Sequence, residues 1–223
     1  MSQQTNPLTD LDAINEMLAS IGQAPITSIE TTTNLYEKVG NEYKQLTITT
    51  SPDVAMAQQT LAEVSRMVQS EGWAFNIEYN YPLSPDSTTK RIKYTDRMLQ
   101  ADLNTSHPSY GNLDTVKREG WLYERNKHTF EWEDTVYCDI LWLFDWEDIP
   151  RPIQDYVIKR ASAVLSMRIV GDPNLYKVLD GQALNCRAYA LEYDTQQGDY
   201  TYFGHPQGQN YYQSYKPFHT LYR

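Results

Sequence analysis

Residues 149–194 read IPRPIQDYVIKRASAVLSMRIVGDPNLYKVLDGQALNCRAYALEYD, and this stretch decides the fold. Pro150 and Pro152 suit the opening turn of a helix, where a missing N–H leaves no bond unmade. Ile153, Val157, Ala161, Val164 and Arg168 then share one face, with Ile158, Leu165 and Ile169 beside them. Gln154, Asp155, Lys159 and Arg160 fall opposite, so the segment reads as an amphipathic helix with a broad apolar stripe. Gly171-Asp172-Pro173 ends it with a helix-stopping glycine and a proline that cannot continue the same helix. A second helix follows, carrying Leu175, Val178, Leu179, Cys186, Tyr189, Ala190 and Tyr193. So short a connection makes the two helices antiparallel neighbours.

Two more helices precede them. Leu11, Ile14, Leu18 and Ile21 recur at helical spacing over 10–21, with Thr9 or Asp10 as cap and Gly22 and Pro25 closing the end. Ser51-Pro52-Asp53 opens a helix that runs to about Gln69, with Ala57, Leu61, Val64 and Val68 on one face and Gly72 as its stop. Between them, residues 26–50 form a polar, threonine-rich connection with one possible strand at Gln45–Thr49, and Glu30–Asn41 reads as solvent-exposed. Each helix pair has one apolar stripe to hide, which packing into a four-helix bundle achieves.

The middle segment changes period. Trp73, Phe75, Ile77, Tyr79 and Tyr81 alternate with Ala74, Asn76, Glu78 and Asn80 as in a half-buried strand, and Pro82 and Ser84-Pro85-Asp86 turn the chain. Arg91–Thr95, Thr115–Arg118, Gly120–Arg125 and Thr129–Trp132 are further strand candidates, with Asn126-Lys127 as a turn. Val136–Phe144 is apolar on nearly both faces, which places it centrally in a sheet or under a neighbour. The fold class is therefore α+β: a four-helix bundle (1–72 and 149–194), an inserted β-rich module (73–148), and an extended C-terminal arm (195–223).

The arm holds six tyrosines, two phenylalanines, one branched aliphatic residue and three charges, while Gly198, Gly204, Pro206, Gly208 and Pro217 forbid a long helix. It cannot form its own core, and a disordered tail is ordinarily charged and poor in aromatics. An arm that orders on a partner surface is the reading adopted. Among 223 residues with a net charge of −10, the chain has 18 tyrosines, a richness that suits either interfaces or half-buried strands. The acidic balance argues against general nucleic-acid binding, which needs clustered Lys and Arg. Cys138 and Cys186 lie on apolar faces and read as buried free thiols rather than a disulfide. No signal peptide and no apolar run long enough for a membrane span is visible, so a soluble protein made in a cytoplasm is expected.

Nothing marks a catalytic, metal or cofactor site. The four histidines are scattered without metal-ligand spacing, and no phosphate loop, dinucleotide fingerprint or nucleophile elbow occurs. Glu131–Asp148 holds seven carboxylates and no basic residue, and Glu131 and Glu133 beside tryptophans imitate a glycosidase pair. A solvated acidic face is the simpler account, which leaves a glycan-binding or glycan-hydrolysing component as the alternative function.

Several stretches together carry a resemblance: Leu18-Ala19-Ser20-Ile21-Gly22 with Pro25, Ser70-Glu71-Gly72-Trp73-Ala74-Phe75-Asn76, Ile149-Pro150, Lys159-Arg160-Ala161-Ser162 and Gly171-Asp172-Pro173. From Asp10 to Asp194 the chain resembles tail tubular protein A, the adaptor family (head-to-tail connectors) of short-tailed bacteriophages. It departs from the pattern in a longer connection between the first two helices and in the loops of the β module. The resemblance implies a non-enzymatic virion protein, assembled in the host cytoplasm, that forms a dodecameric ring in the tail. The ring would sit between the portal protein and the tail nozzle (tubular protein B), near the tail fibre, and genomic DNA would pass its bore without sequence-specific binding. It also implies that the C-terminal arm docks on the portal, through Tyr200, Tyr202, Phe203, Tyr211, Tyr212, Tyr215, Phe218, Leu221 and Tyr222.

Overall fold

The computed structural model of the chain describes residues 8–29, 34–39, 42–47, 51–103, 110 and 113–198. It has a mixed α+β architecture, with four helices among the described residues. Helix α1 spans Asp10–Ser20 and α2 Pro52–Gln69; α3 spans Arg151–Ile169 and α4 Pro173–Gln197. Their starts follow the chemistry of the sequence. The Asp12 N–H donates to Thr9 Oγ1 (3.2 Å) and the Thr9 N–H donates back to Asp12 Oδ2 (3.1 Å), a reciprocal capping box. Asp172 caps α4 by accepting the Asn174 N–H at 2.9 Å, with Pro173 in the first turn. Ser51 precedes α2 as expected but makes no side-chain cap bond.

The helices bury one apolar core. Ile14 and Leu18 of α1, Leu61, Val64 and Val68 of α2, and Ile153, Val157 and Leu165 of α3 meet there with Trp73, and Ala190 is α4's contribution. Helices α1 and α2 pack on each other and on α3, whereas α4 packs along α3. A second core belongs to the β-rich segment, built by Leu83, Ile92, Leu103, Leu122, Trp132, Cys138 and Ile140.

Three antiparallel sheets are described. Strands β1 (Asn34–Val39) and β2 (Glu42–Thr47) pair as a hairpin, so the long connection holds two strands where the sequence gives one. Strands β3 (Ile77–Leu83), β4 (Met98–Leu103) and β7 (Val136–Trp142) form a sheet of order β3-β7-β4. The doubly apolar β7 is central, as its composition requires. Strands β5 (Thr115–Arg118) and β6 (Trp121–Glu124) form a hairpin over Glu119 (φ 53°) and Gly120 (φ 78°), positive at both turn positions as a tight hairpin demands.

Several expectations need correction. Trp73–Asn76 is a turn, not strand: Trp73 is 2% exposed in the helical core and donates its indole N–H to Val68 O at 2.7 Å. Pro82 does not end the strand but sits within β3, paired with Tyr137; β3 is an edge, where a missing N–H breaks no ladder. Strand β4 was not anticipated. Arg91–Thr95 and Thr129–Trp132 contribute only isolated bridges, Arg91 to Glu131, Lys93 to Trp121 and Glu124 to Thr129.

Candidate assembly surface

Helix α3 is buried on nearly every side, and its supposed polar face is turned into the protein. Gln154 is 4% exposed and donates to Trp146 O at 2.7 Å. Lys159 reaches Glu16 of α1 at 2.5 Å, Arg160 pairs with Asp180 of α4, and Arg168 donates to Thr60 Oγ1 and Glu63 Oε2 of α2, both at 2.8 Å. Each of the three other helices is thus tied to α3 by one cation. Arg187 of α4 adds a bond to Glu71 at 3.1 Å, and the same carboxylate accepts the Tyr156 hydroxyl at 3.2 Å. Burial, and then Glu71, push the Tyr156 phenol up; the bond to Glu71 raises Arg187.

Helix α4 is the opposite case. Leu179, Ala183 and Ala190 are its buried residues, one narrow stripe along α3. Val178 and Tyr189, expected on its packed face, are 60% and 68% exposed, and Leu184 and Leu191 are exposed on the other flank. Of its charges, Asp180 and Arg187 are paired and Asp194 accepts the Ala74 N–H at 2.6 Å. Lys177 and Glu192 are the charged residues of this helix with neither an ion pair nor a side-chain hydrogen bond among the described residues. A surface helix of 25 residues with apolar side chains on both flanks of its packed stripe is built to be covered.

A polar junction fixes the helices to the sheet. Gln69, fully buried at the end of α2, accepts the Phe144 N–H (2.8 Å) and donates to Phe144 O (3.2 Å). Asn76, also fully buried, accepts the Trp73 N–H and donates to Gln69 O and Trp142 O, each at 2.9 Å. Sequence reading missed both residues, because buried amides carry no periodic signal. The α4 flank was missed for another reason: apolar spacing does not reveal whether the covering partner lies in the same chain.

An open cleft of about 1020 Å³ lies along α2 where residues 143–146 approach it. Ile14 and Leu61 form its floor, Phe144 and Trp146 its aromatic rim, and Gln58, Gln59 and Arg66 its wall. Arg66 has no carboxylate partner among the described residues, whereas Arg97 in the same cleft pairs with Asp145 at 2.6 Å. Asp10, also on the lining, is held up by burial and by the nearby Glu147 charge.

The sequence-derived candidates fare unequally. The arm residues Tyr200, Tyr202, Phe203, Tyr211, Tyr212, Tyr215, Phe218, Leu221 and Tyr222 lie outside the described residues. Residues 195–197, assigned to the arm, continue α4 to its cap at Gly198. Glu131 and Glu133 are both exposed, and Trp132 between them points into the β core, its indole N–H donating to Leu122 O at 3.1 Å. No aromatic platform separates that pair of acids. Both cysteines are free thiols; Cys138 is buried, and Cys186 is half-buried. Burial, with Asp102 and Asp139 beside it, pushes the Cys138 thiol up to about 12. Among the described residues no group of three or more His, Cys, Asp or Glu side chains is placed to hold a metal ion, and no helix is long and apolar enough to cross a membrane.

No curated protein matches the chain. A family model for tail tubular proteins matches residues 11–200, from the first turn of α1 to just beyond α4. The match spans both cores, the polar junction and the uncovered helix, and it makes the chain a member of the tail tubular protein family, a structural component of the phage tail.

Proposed function

We propose that this protein is the adaptor of a short-tailed phage: a dodecameric ring seated between the portal protein and the tail nozzle. Genomic DNA crosses its bore without sequence-specific binding, and the ring helps hold the tail fibre. The observation that carries the reading is α4, whose two exposed apolar flanks need a partner outside the chain. In this reading the four helices form one bundle that builds the ring, and the β-rich module (73–148) faces the nozzle and fibre. The aromatic segment beyond Gly198, low in charge, docks on the portal. Low charge with many tyrosines fits strand addition or pocket filling on a neighbouring ring. Part of the acidic excess lines the bore, where like charge keeps DNA mobile.

The test is mass by light scattering, on the protein alone and mixed with portal complexes. A ring-sized particle that binds portal, and fails to bind when the chain is ended after Gly198, supports the adaptor role and the arm's part in it. Absence of any association refutes the adaptor role. Retained portal binding by the shortened chain refutes only the docking role of the arm.

A further inference from the structure

We propose that α4 of one copy seats in the cleft that α2 and residues 143–146 form on the next copy. The inference rests on the ring reading and supplies the pair of surfaces that a ring requires. A closed ring of identical chains needs two different, mutually complementary surfaces on each chain. These two lie on separate flanks of the helical core. Because α3 is buried nearly all round, α4 covers the side that α1 and α2 leave, while the cleft opens along α2. Within one chain α4 is already held on α3 and cannot fill that cleft.

Shape and length agree. The exposed apolar stretch of α4 from Val178 to Leu191 is about 20 Å long, and the α2 wall from Ala55 to Gln69 about 21 Å, at 1.5 Å per residue. Exposed apolar side chains occupy both flanks of α4, so a flat partner would cover one flank and leave the other in water. A groove covers both. The cleft offers what such a helix lacks: an apolar floor at Ile14 and Leu61 and an aromatic rim at Phe144 and Trp146. Charge agrees as well. Glu192 on α4 and Arg66 in the cleft have no ion partner among the described residues, so each can serve the other across the contact.

The experiment uses two full-length variants at exposed positions, Val178→Asp with Tyr189→Asp on α4, and Ala62→Glu in the cleft wall. Thermal melting close to wild type shows that each folds. Each variant alone, with or without portal complexes, is expected to need a roughly 100-fold or higher concentration to form rings, because each buries an unpaired charge in the contact. Mixed in equal amounts, they are expected to give two-copy particles and nothing larger. One intact α4 then meets one intact cleft, and both remaining ends are blocked. Rings formed by either variant at wild-type concentration overturn the pairing and leave the ring reading standing. A mixture that stays at one-copy mass also overturns it. Wild-type protein that stays single-copy in both settings removes the ring reading and this inference together.

Discussion

Replacing Asn76 by alanine tests whether the polar junction, rather than the surface ion pairs, couples the helices to the sheet. The side chain is fully buried and makes three bonds of 2.9 Å, from the Trp73 N–H and to the carbonyls of Gln69 and Trp142. Alanine removes all three. The Gln69 carbonyl keeps the Gly72 N–H at 3.3 Å, so its loss is partial, but the Trp73 N–H is left without that acceptor. A net bond contributes about 1 kcal/mol, and a buried group left unpaired costs about 1–3 kcal/mol, which brings the total to about 3–5 kcal/mol. For a chain of this size that is a fall of roughly 6–20 °C in Tm. Asn76→Asp should cost at least as much: it keeps the acceptor, loses both donors and sets a carboxylate against two carbonyl oxygens. The control is Asp145→Asn. Its pair with Arg97 is 66% and 69% exposed, and such pairs contribute less than about 1 kcal/mol. Urea unfolding followed by tryptophan fluorescence measures all three. An Asn76→Ala protein within about 0.5 kcal/mol of wild type, or an Asp145→Asn protein that loses more than it, would refute the reasoning.

Three further outcomes are expected. Thr9→Ala breaks the α1 capping box and costs about 1 kcal/mol near neutral pH in the same urea assay. Hydrogen bonds from the Thr9 side chain and backbone hold Asp12 below the usual carboxylate range, so the carboxylate's share is full above that range and is lost as pH falls through the depressed value, while the bond from the Asp12 N–H to Thr9 Oγ1 does not titrate; a difference from wild type that does not shrink at all in acid counts against it. Cys138 should resist thiol reagents at pH 8 in a Cys186→Ser chain and react only as urea unfolds it, whereas rapid native labelling would contradict its burial. Because the folded thiol is raised from 9.0 to about 12, its contribution is intact below pH 9 and is lost as pH rises from there towards 12. Gly171→Ala should cost about 1–2 kcal/mol, since φ is +72° there, and the penalty is backbone strain alone because no atom lies within 4 Å of the added Cβ. Gly171→Asn should recover part of it, and equal stability of all three chains would show that α3 ends in another way.

What could be read from the sequence follows from which signals are local. Helix ends were legible because caps are chemistry within four residues: of the two cap candidates, Thr9 and Asp10, it is Thr9 that caps α1, and Pro52 and Gly171-Asp172-Pro173 act where they were expected. Strand β7 was legible because a doubly apolar run has no place but the middle of a sheet. Strand β4 was not, because a register shift between Met98 and Gln100 breaks its alternation. Trp73 and Phe75 mimicked a strand by accident of spacing, since both pack with the helices. Arg168 shares the apolar stripe of α3, and its guanidinium binds Thr60 and Glu63 on α2, which a helical wheel of α3 alone cannot show.

The deepest limit concerns α4. Periodicity reports that a residue is apolar on a given face; it does not report what covers that face. On α3 the structure supplies the answer: Gln154, Lys159 and Arg160, which read as its polar face, bond to other parts of the chain that surround the helix. On α4 the same reasoning assigned Val178 and Tyr189 to the packed face, and the structure leaves them 60% and 68% exposed. What separates the two helices is not apolar content but the fate of their charges. Lys159, Arg160 and Arg168 of α3 bond to Glu16, Asp180 and Glu63 within the chain, and Arg151 pairs with Asp155. On α4 Asp180 and Arg187 are ion-paired and Asp194 holds the Ala74 N–H, which leaves the side chains of Lys177 and Glu192 unbonded at the two ends of the exposed apolar stretch. A helix meant for water carries charge along its outer face for solubility, whereas the exposed residues of α4 between Lys177 and Glu192 include none that is charged. An apolar face bounded by two spare charges therefore belongs to an interface, and in a protein built to assemble into a tail the missing cover is supplied by another chain.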